Sequence, residues 1–304
     1  MRKLSVIIPA FNEEDNISPL MEKFHKIINE NKLNCEVLLV DDGSTDHTYQ
    51  LATECAKKYN FLKVLHHNKK MGITNALLSG FKKADGELYM FLGADLEVLP
   101  SEIPKYLAEI DNGADVVCGW MQDLHKKPLG KRIVSNIYNA FSRKLFGVKV
   151  HHMNSPKVFR KEVVEDIPLR KDWHRYIVVL AAESGYRISE VKIQFYPRAY
   201  GKIKYRGGGR ILIGILDLLA VKFQMSFMRK PMLFFGSIGG GLLLTALVVG
   251  IVALYLRFVI EKGYRPLLYL VIFLGISGLL LFVLGFLAEA IAGIQDEIKK
   301  LSRK

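Results

Sequence analysis

The sequence predicts an α/β domain with a mainly parallel sheet, followed by a pair of membrane-spanning helices. Short apolar segments alternate with helix-length amphipathic segments through the first part of the chain, which is typical of βαβ units. Two later segments, 231–256 and 266–288, contain no Asp, Glu, Lys, Arg or His. Each is long enough to cross a bilayer core as a helix, which takes roughly 20 residues. A buried helical pair in a soluble core is the alternative interpretation.

The strands and helices are predicted in strict alternation. Apolar strands are expected at 4–8, 36–40, 62–65, 88–92 and 116–118, with Pro9 ending the first one. Helices are expected from Asn12 or Glu13 to about 30, from about 47 to 58, from about 72 to 83, and from near 101. Such an order places the carboxyl ends of the parallel strands on one edge of the sheet.

The second strand ends abruptly in acidic residues. Four large apolar residues, Val37 to Val40, lead directly into Asp41 and Asp42. Because an unpaired carboxylate is too costly to bury, neither acid is expected to continue the buried strand, and both are predicted at its carboxyl end, where open α/β sheets hold their ligands. A solvated turn is the alternative interpretation of these acids taken alone.

Acids from three strand ends are expected to become neighbours. The segments 9–13, 41–46 and 93–97 each follow a predicted strand. Carboxylates that lie close together need a cation or hydrogen-bond donors to share. Hard oxygen ligands suit Mg²⁺ or Mn²⁺, which keep several waters and bridge a substrate diphosphate. The sequence therefore predicts a divalent-cation site at this edge.

The formal net charge of +13 indicates a membrane surface rather than nucleic acid. Basic residues crowd the approach to the apolar segments and the end of the chain, where they suit anionic headgroups, and no nucleic-acid motif accompanies them. Residues 206–230 are predicted to form an amphipathic interfacial helix, with an ordinary domain helix as the alternative. Three widely spaced cysteines give no metal-ligand spacing, so reduced thiols and a cytoplasmic α/β domain are expected.

Four motifs occur in a fixed order along residues 4–205. They are Val6–Glu14, Val40–Asp46, Gly93–Asp95 and Arg198–Tyr205. In this order the chain resembles the family-two glycosyltransferases with the GT-A fold. More narrowly, it is similar to the polyprenyl-phosphate glycosyltransferases, which include dolichyl-phosphate mannose synthase. The paired apolar segments near the end of the chain fit the same subgroup.

The resemblance implies roles for individual residues. The donor nucleotide would be held by Pro9, Phe11, Glu13, Val40, Asp42 and Ala94. Asp95 would ligate the metal on the donor diphosphate. Arg198 and Lys202 would meet the acceptor lipid phosphate and the donor phosphates. The planar fork of an arginine suits phosphate oxygens, although a surface salt bridge is the alternative for Arg198.

One departure from the family pattern affects the metal site. The family motif is usually Asp-x-Asp, and its first position here is Gly93. We hypothesise that Glu97, two residues beyond Asp95, restores the missing charge, so that Asp95 and Glu97 share the metal. The pair His151 and His152 is also unusual, and a histidine there is a weaker candidate ligand for Mn²⁺.

The implied reaction moves one sugar, with inversion, from a GDP- or UDP-linked donor to an undecaprenyl or dolichyl phosphate. A membrane polysaccharide synthase is one alternative, but it usually has more spans and a Gln-x-x-Arg-Trp motif. A non-catalytic nucleotide-sugar-binding scaffold is the other, and Gly93 favours it. The predicted parts are the GT-A domain 1–205, the interfacial helix 206–230, the transmembrane hairpin 231–294 and a basic cytoplasmic tail 295–304. A homo-oligomer is left open.

Overall fold

The fold is described here from a computed structural model of the chain. It describes residues 2–122, 146–148, 150–167, 169, 173–198, 222 and 230–301. The chain divides into two compact units, Met1–Ile211 and Leu212–Lys304, which are taken in turn.

The first unit is built on one seven-stranded mixed sheet. Its strands are β1 Leu4–Ala10, β2 Cys35–Asp41, β3 Leu62–His66, β4 Leu88–Phe91, β5 Val116–Gln122, β6 Lys157–Arg160 and β7 Ile188–Gln194. They lie in the order β3-β2-β1-β4-β6-β5-β7. Neighbouring strands are parallel except at β6, which runs antiparallel to both β4 and β5. The prediction of a mainly parallel sheet is confirmed.

Helices follow the parallel strands as expected. They are α1 Glu14–Asn31, α2 Thr48–Lys58, α3 Ile73–Lys83 and α4 Ile103–Asp111, then α5 Lys161–Asp166 and α6 Ile177–Glu183. Short 3₁₀ turns occupy Pro100–Glu102 and Trp173–Tyr176. The unbroken apolar run Val37–Val40 has no accessible surface, because helices cover both faces of the sheet at β2.

Two details of the strand predictions were wrong. Strand β1 does not stop before Pro9 but continues to Ala10. The pairing of β1 with β4 ends at Ile7, and beyond that residue β1 pairs only with β2. The β4 side of the β1 backbone therefore needs no N–H donor at Pro9. A proline is tolerated at such a position. Strands β6 and β7 were not predicted, because β6 has only four residues with charged ends and β7 is a half-buried edge strand.

The second unit contains two long apolar helices. They are α7 Pro231–Phe258 and α8 Arg265–Leu301, which contain the two predicted spans. Only 11% and 6% of their most apolar windows is buried, so these are not core helices of a soluble domain and their surfaces suit lipid. Helix α8 continues into the predicted basic tail as far as Leu301. The predicted interfacial helix lies outside the described residues, apart from Lys222 and Lys230.

Glycines set the approach of the two long helices. A Cβ atom built on Gly239 would lie 2.7 Å from the carbonyl oxygen of Gly278, and one built on Gly278 would lie 2.8 Å from that of Gly239. The two backbones therefore touch at this point, as small residues permit in membrane helix pairs. At one end of the pair, Glu289 Oε2 accepts the backbone N–H of Met232 at 3.1 Å. This carboxylate satisfies one of the donors that the first turn of α7 leaves unpaired.

Candidate active site

The loops that follow β1 and β2 are joined by side-chain hydrogen bonds. Thr45 N–H donates to Asn12 Oδ1 at 2.8 Å, and Asn12 N–H donates to Ser44 Oγ at 2.9 Å. The N–H of Glu13 donates to Thr48 Oγ1 at 2.8 Å. Asn12 has a φ of 52°, a left-handed conformation that asparagine adopts more readily than most residues. The two strand ends therefore form one rigid rim.

Asp41 lies at the carboxyl end of β2 as predicted, but it belongs to the strand and is buried, which the sequence did not lead us to expect. It is the last residue of β2 and has no accessible surface. Its partner is His66 on the adjacent strand β3, whose Nδ1 lies 2.7 Å from Asp41 Oδ2. Ser44 N–H donates to the other carboxylate oxygen at 3.3 Å. Burial is possible because the carboxylate is paired, and the prediction failed because His66 was not recognised as that partner.

Asp42 organises the loop that follows β3. Its Oδ1 accepts the backbone N–H of Met71 at 2.8 Å and lies 2.9 Å from His67 Nδ1, while its Oδ2 accepts the N–H of Gly72 at 2.8 Å. The side chain is almost fully buried. In the structure this carboxylate is therefore committed to the protein backbone and to one histidine.

Arg198 joins acids from two other strand ends. Its Nη2 donates to Asp95 Oδ2 at 2.9 Å and lies 3.8 Å from Glu13 Oε1. Burial lowers the pKa of Arg198, but the hydrogen bond and charge of Asp95, together with the charges of Glu13 and Glu97, raise it overall. Residues that follow β1, β4 and β7 therefore meet around one guanidinium group.

The loop that carries Asp95 is compact and strained. Leu96 has a φ of 57°, which is uncommon for a residue with a side chain, and its buried side chain helps to hold the turn. A Cβ atom built on Gly93 would lie 3.0 Å from Asp95 Oδ1. The Asp95 carboxylate thus folds back over the glycine that replaces the first acid of the family motif. Glu97 N–H lies 3.4 Å from the same oxygen.

These acids provide the chemistry of a Mg²⁺ or Mn²⁺ site but not a complete protein cage. Among the described residues, no group of three or more His, Cys, Asp or Glu side chains is arranged to hold a metal ion. Mg²⁺ is usually bound by only one or two carboxylates together with waters and substrate phosphates. Asp95 and Glu97 therefore fit a metal that is held jointly with a diphosphate.

The remaining predicted ligands occupy different environments. Phe11 lies half-buried on the rim, with Lys70 Nζ 3.8 Å from its ring centroid. Pro9 is also half-buried. Val40 and Ala94 belong to the core, where 0% and 4% of their surface is accessible. Lys202 lies outside the described residues.

A buried polar cluster behind β4 was missed. Lys157 on β6 has no accessible surface; its Nζ donates to the Ser155 carbonyl at 2.8 Å, and burial lowers its pKa to about 8. His174 Nδ1 lies 3.0 Å from Thr74 Oγ1. Burial, and then the charges of Arg175 and Lys157, lower the pKa of His174 to about 3. No sequence signal marked Lys157, since a lysine at the end of a short strand normally reaches solvent.

His151 is engaged in a different contact from the one considered in the sequence. Its ring stacks on Trp120 with centroids 3.9 Å apart, and Lys192 Nζ lies 5.1 Å from the Trp120 centroid. Glu190 accepts the backbone N–H of His151 at 2.6 Å and lies 2.7 Å from its Nδ1. In the structure these contacts tie the segment around His151 to the last two strands of the sheet.

Comparison with known proteins shows the family of the chain. Residues 5–167 match the model of Glycosyl transferase family 2, which is more than half of the chain. The chain therefore belongs to this glycosyltransferase family.

One relative aligns with almost the whole chain, including the apolar helices, and another aligns with two thirds of it. The dodecaprenyl-phosphate galacturonate synthase of Rhizobium johnstonii is 31% identical and aligns with 95% of this chain and 88% of its own length. The dolichol-phosphate mannosyltransferase of Pyrococcus furiosus is also 31% identical, over 67% of this chain and 60% of the relative.

A solved structure supports the fold. Glucosyl-3-phosphoglycerate synthase from Mycobacterium tuberculosis, crystallised with Mn²⁺ and UDP, has a TM-score of 0.57 and 17% identity over 74% of this chain and 80% of its own. At this identity the likeness concerns the fold alone. The expected GT-A fold is confirmed.

Proposed function

We propose that the protein transfers a sugar from a nucleotide-diphosphate sugar to the phosphate of a membrane polyprenol. The observation that carries the proposal is Arg198, a half-buried cation held between acids that follow β1 and β4. The relatives that cover this chain are named for sugar transfer to dodecaprenyl and dolichol phosphate. A cation at the carboxyl edge of a parallel sheet suits phosphate groups.

Arg198 is proposed to exchange partners when substrates bind. Its guanidinium group is paired with Asp95 and is close to Glu13 in the structure. An incoming diphosphate or lipid phosphate offers it a more highly charged partner with a better match to its fork geometry. That exchange would release the Asp95 carboxylate. Lys202, four residues further on, is proposed to add a second cation for the same phosphates.

The acceptor needs little chemical activation, because a lipid phosphate is already an anion. The residues of the site therefore have to position it in line with the anomeric carbon of the donor and stabilise the leaving diphosphate. In-line attack predicts inversion at that carbon. We propose that Asp95 and Glu97 hold Mg²⁺ or Mn²⁺, which would neutralise charge on the leaving diphosphate.

The nucleotide is proposed to bind along the rim formed by the loops after β1 and β2. Phe11 and Lys70 provide an accessible ring and cation there. Asp42 would act indirectly, by fixing the loop that carries Lys70, since its carboxylate oxygens are bound to Met71, Gly72 and His67. The donor is proposed to be a GDP- or UDP-linked hexose.

The helices α7 and α8 are proposed to hold the α/β unit, which binds the water-soluble donor, at the membrane that contains the lipid acceptor. Both are long and apolar enough to cross a bilayer. Basic residues before α7 and after α8 favour a cytoplasmic position for the α/β unit. The segment 206–230 is proposed to lie in the membrane interface.

The test is a transfer assay with purified full-length protein in detergent. The protein is given a short polyprenyl phosphate, Mn²⁺ or Mg²⁺, and a panel of nucleotide sugars, and both nucleoside diphosphate and lipid-linked sugar are measured. Formation of a glycosyl-phosphoryl-polyprenol from one donor is expected. Release of nucleoside diphosphate without that lipid product would refute the proposal that polyprenyl phosphate is the acceptor. Binding of nucleotide without any turnover would favour a non-catalytic scaffold.

Two variants test the proposed metal site in the same assay. Asp95→Asn is expected to lower turnover on the order of 10²-fold or more, because it removes a charged ligand at the leaving group. Glu97→Gln is expected to raise the Mn²⁺ concentration needed for half-maximal rate. If Glu97→Gln leaves both the rate and the Mn²⁺ dependence unchanged while Asp95→Asn abolishes activity, Glu97 is not a ligand.

A further inference from the structure

Helix α8 carries one continuous apolar seam whose residues alternate in spacing by four and three. The seam consists of Leu280, Leu284, Leu287, Ile291, Ile294 and Ile298. This is the heptad pattern in which every a and d position is apolar. The six members up to Ile298 have between 47% and 62% of their surface exposed. We call this set the α8 seam.

Helix α7 does not cover the α8 seam. It contacts α8 at Gly278 and Gly285, where Cβ atoms built on the glycines would meet Gly239 or Met232. At about 100° per residue, Leu280 lies roughly 200° around the helix from Gly278. The seam therefore faces away from α7 and is a second, separate face of α8.

Lipid cannot cover the distal part of the seam. The contact between Met232 and Glu289 places Glu289 level with the first turn of α7, where both apolar runs end. With a rise of about 1.5 Å per residue, Ile298 lies roughly 13 Å further along the axis. The headgroup layer on each side of a bilayer is only about 5–8 Å thick. The sequence 295–300, Gln-Asp-Glu-Ile-Lys-Lys, is also one that suits water.

We propose that the α8 seam pairs in parallel with the same seam of a second copy of this chain. All copies cross the membrane in one direction, so two α8 helices meet in parallel and each seam residue faces its own counterpart. Ala290 and Glu297 occupy positions of the g type beside the distal seam. In a parallel pair a g position faces an e position of the partner, so Glu297 does not oppose its own counterpart.

The area of the seam suits such a contact. At about 25 cal/mol per Å², the burial of a Leu or Ile side chain corresponds to on the order of 100 Å². Six exposed seam residues therefore offer roughly 600 Å² per chain, close to the roughly 800 Å² per partner of a standard interface. Outside the bilayer the hydrophobic effect favours this burial, whereas within the bilayer the pairing depends on van der Waals packing between the two helices.

The experiment is cysteine cross-linking along α8 in the full-length protein in detergent. Ile291→Cys, Ile294→Cys and Ile298→Cys are oxidised under mild conditions, and Ala292→Cys and Gly293→Cys serve as matched controls on the neighbouring faces. The unsubstituted chain, whose three native cysteines all lie in the first unit, sets the background. Light scattering of the same samples gives the mass of the assembly.

The expected result is disulfide-linked dimer at the three seam positions, several-fold above the two controls, with a particle mass of at least two chains. Adding Ile294→Glu to Ile298→Cys should return the cross-link to the background level. Equal cross-linking at all five positions would mean random collision and would overturn the proposal. A monomeric mass without cross-links would overturn it too, and would assign the seam to another segment or partner.

Discussion

The buried amine of Lys157 makes a prediction about stability that can be worked out in numbers. Burial lowers its pKa from the ordinary 10.5 to about 8 in the folded protein. Between these two values the unfolded chain binds more protons than the folded one, so the stability of the fold should rise with pH in this window. Below about pH 8 the full penalty is present. At 1.36 kcal/mol for each tenfold difference, the penalty is about 3 kcal/mol.

Replacing Lys157 with methionine should remove that penalty at neutral pH. Methionine keeps the length and apolar stem of the side chain, so the change leaves little cavity. It also removes the hydrogen bond to the Ser155 carbonyl, which costs about 1 kcal/mol. The expected net effect is a stabilisation of about 2 kcal/mol near pH 7. Between about pH 8 and pH 9, this advantage of the variant should shrink by about 1 kcal/mol.

The measurement uses intrinsic fluorescence during urea unfolding of the full chain in detergent. Both tryptophans, Trp120 and Trp173, belong to the first unit, so the signal reports the unfolding of that unit. Confining the comparison to pH values up to about 9 limits interference from Cys118, whose pKa burial raises to about 12. Lys161→Met, on an exposed helix position, is the control. If the free energy of unfolding changes with pH equally in the native protein and in Lys157→Met, the reasoning is refuted.

Four further predictions test other parts of the molecule. Asp42→Asn should destabilise the first unit by about 2–3 kcal/mol in the same assay, because the amide nitrogen of the asparagine would face a backbone N–H donor. As a control, Asp111→Asn, which removes an exposed ion pair, should change the stability by less than about 0.5 kcal/mol. The folded pKa of His174, about 3, lies below its ordinary 6.5, so the native protein should lose stability as pH falls through this range more steeply than His174→Gln does. Gly278→Ala should lower the thermal midpoint for aggregation in detergent, since its Cβ would meet the Gly239 carbonyl, while Gly275→Ala, with open space around it, should not. Arg198→Lys should reduce sugar transfer roughly 10- to 100-fold while stability is retained, because an ammonium group lacks the fork geometry; an unchanged rate would remove Arg198 from the site.

The elements that the sequence predicted are those whose signal is local. The run Val37–Val40 is apolar on both sides because β2 is covered on both faces, and the absence of charge from 231 to 256 marks α7 in the same direct way. Partners across the sheet carry no local signal. His66 pairs with Asp41 only because strand register sets them opposite each other, so the burial of Asp41 within the strand could not be predicted from the sequence.

The position of Arg198 shows why the assembly of the site could not be deduced from strand order. Strand β7 lies at the edge of the sheet and is separated from β4 by β6 and β5. A residue that follows β7 would be expected far from the acids that follow β4. However, the chain turns back across the sheet edge, and Tyr196 N–H donates to the Glu97 carbonyl at 2.8 Å. This one backbone hydrogen bond anchors the segment two residues before Arg198, and so brings its guanidinium group to Asp95. The bond joins the loop of the two acids to the loop of the cation, so one backbone contact holds the phosphate-binding arginine proposed here close to both residues proposed to share the metal.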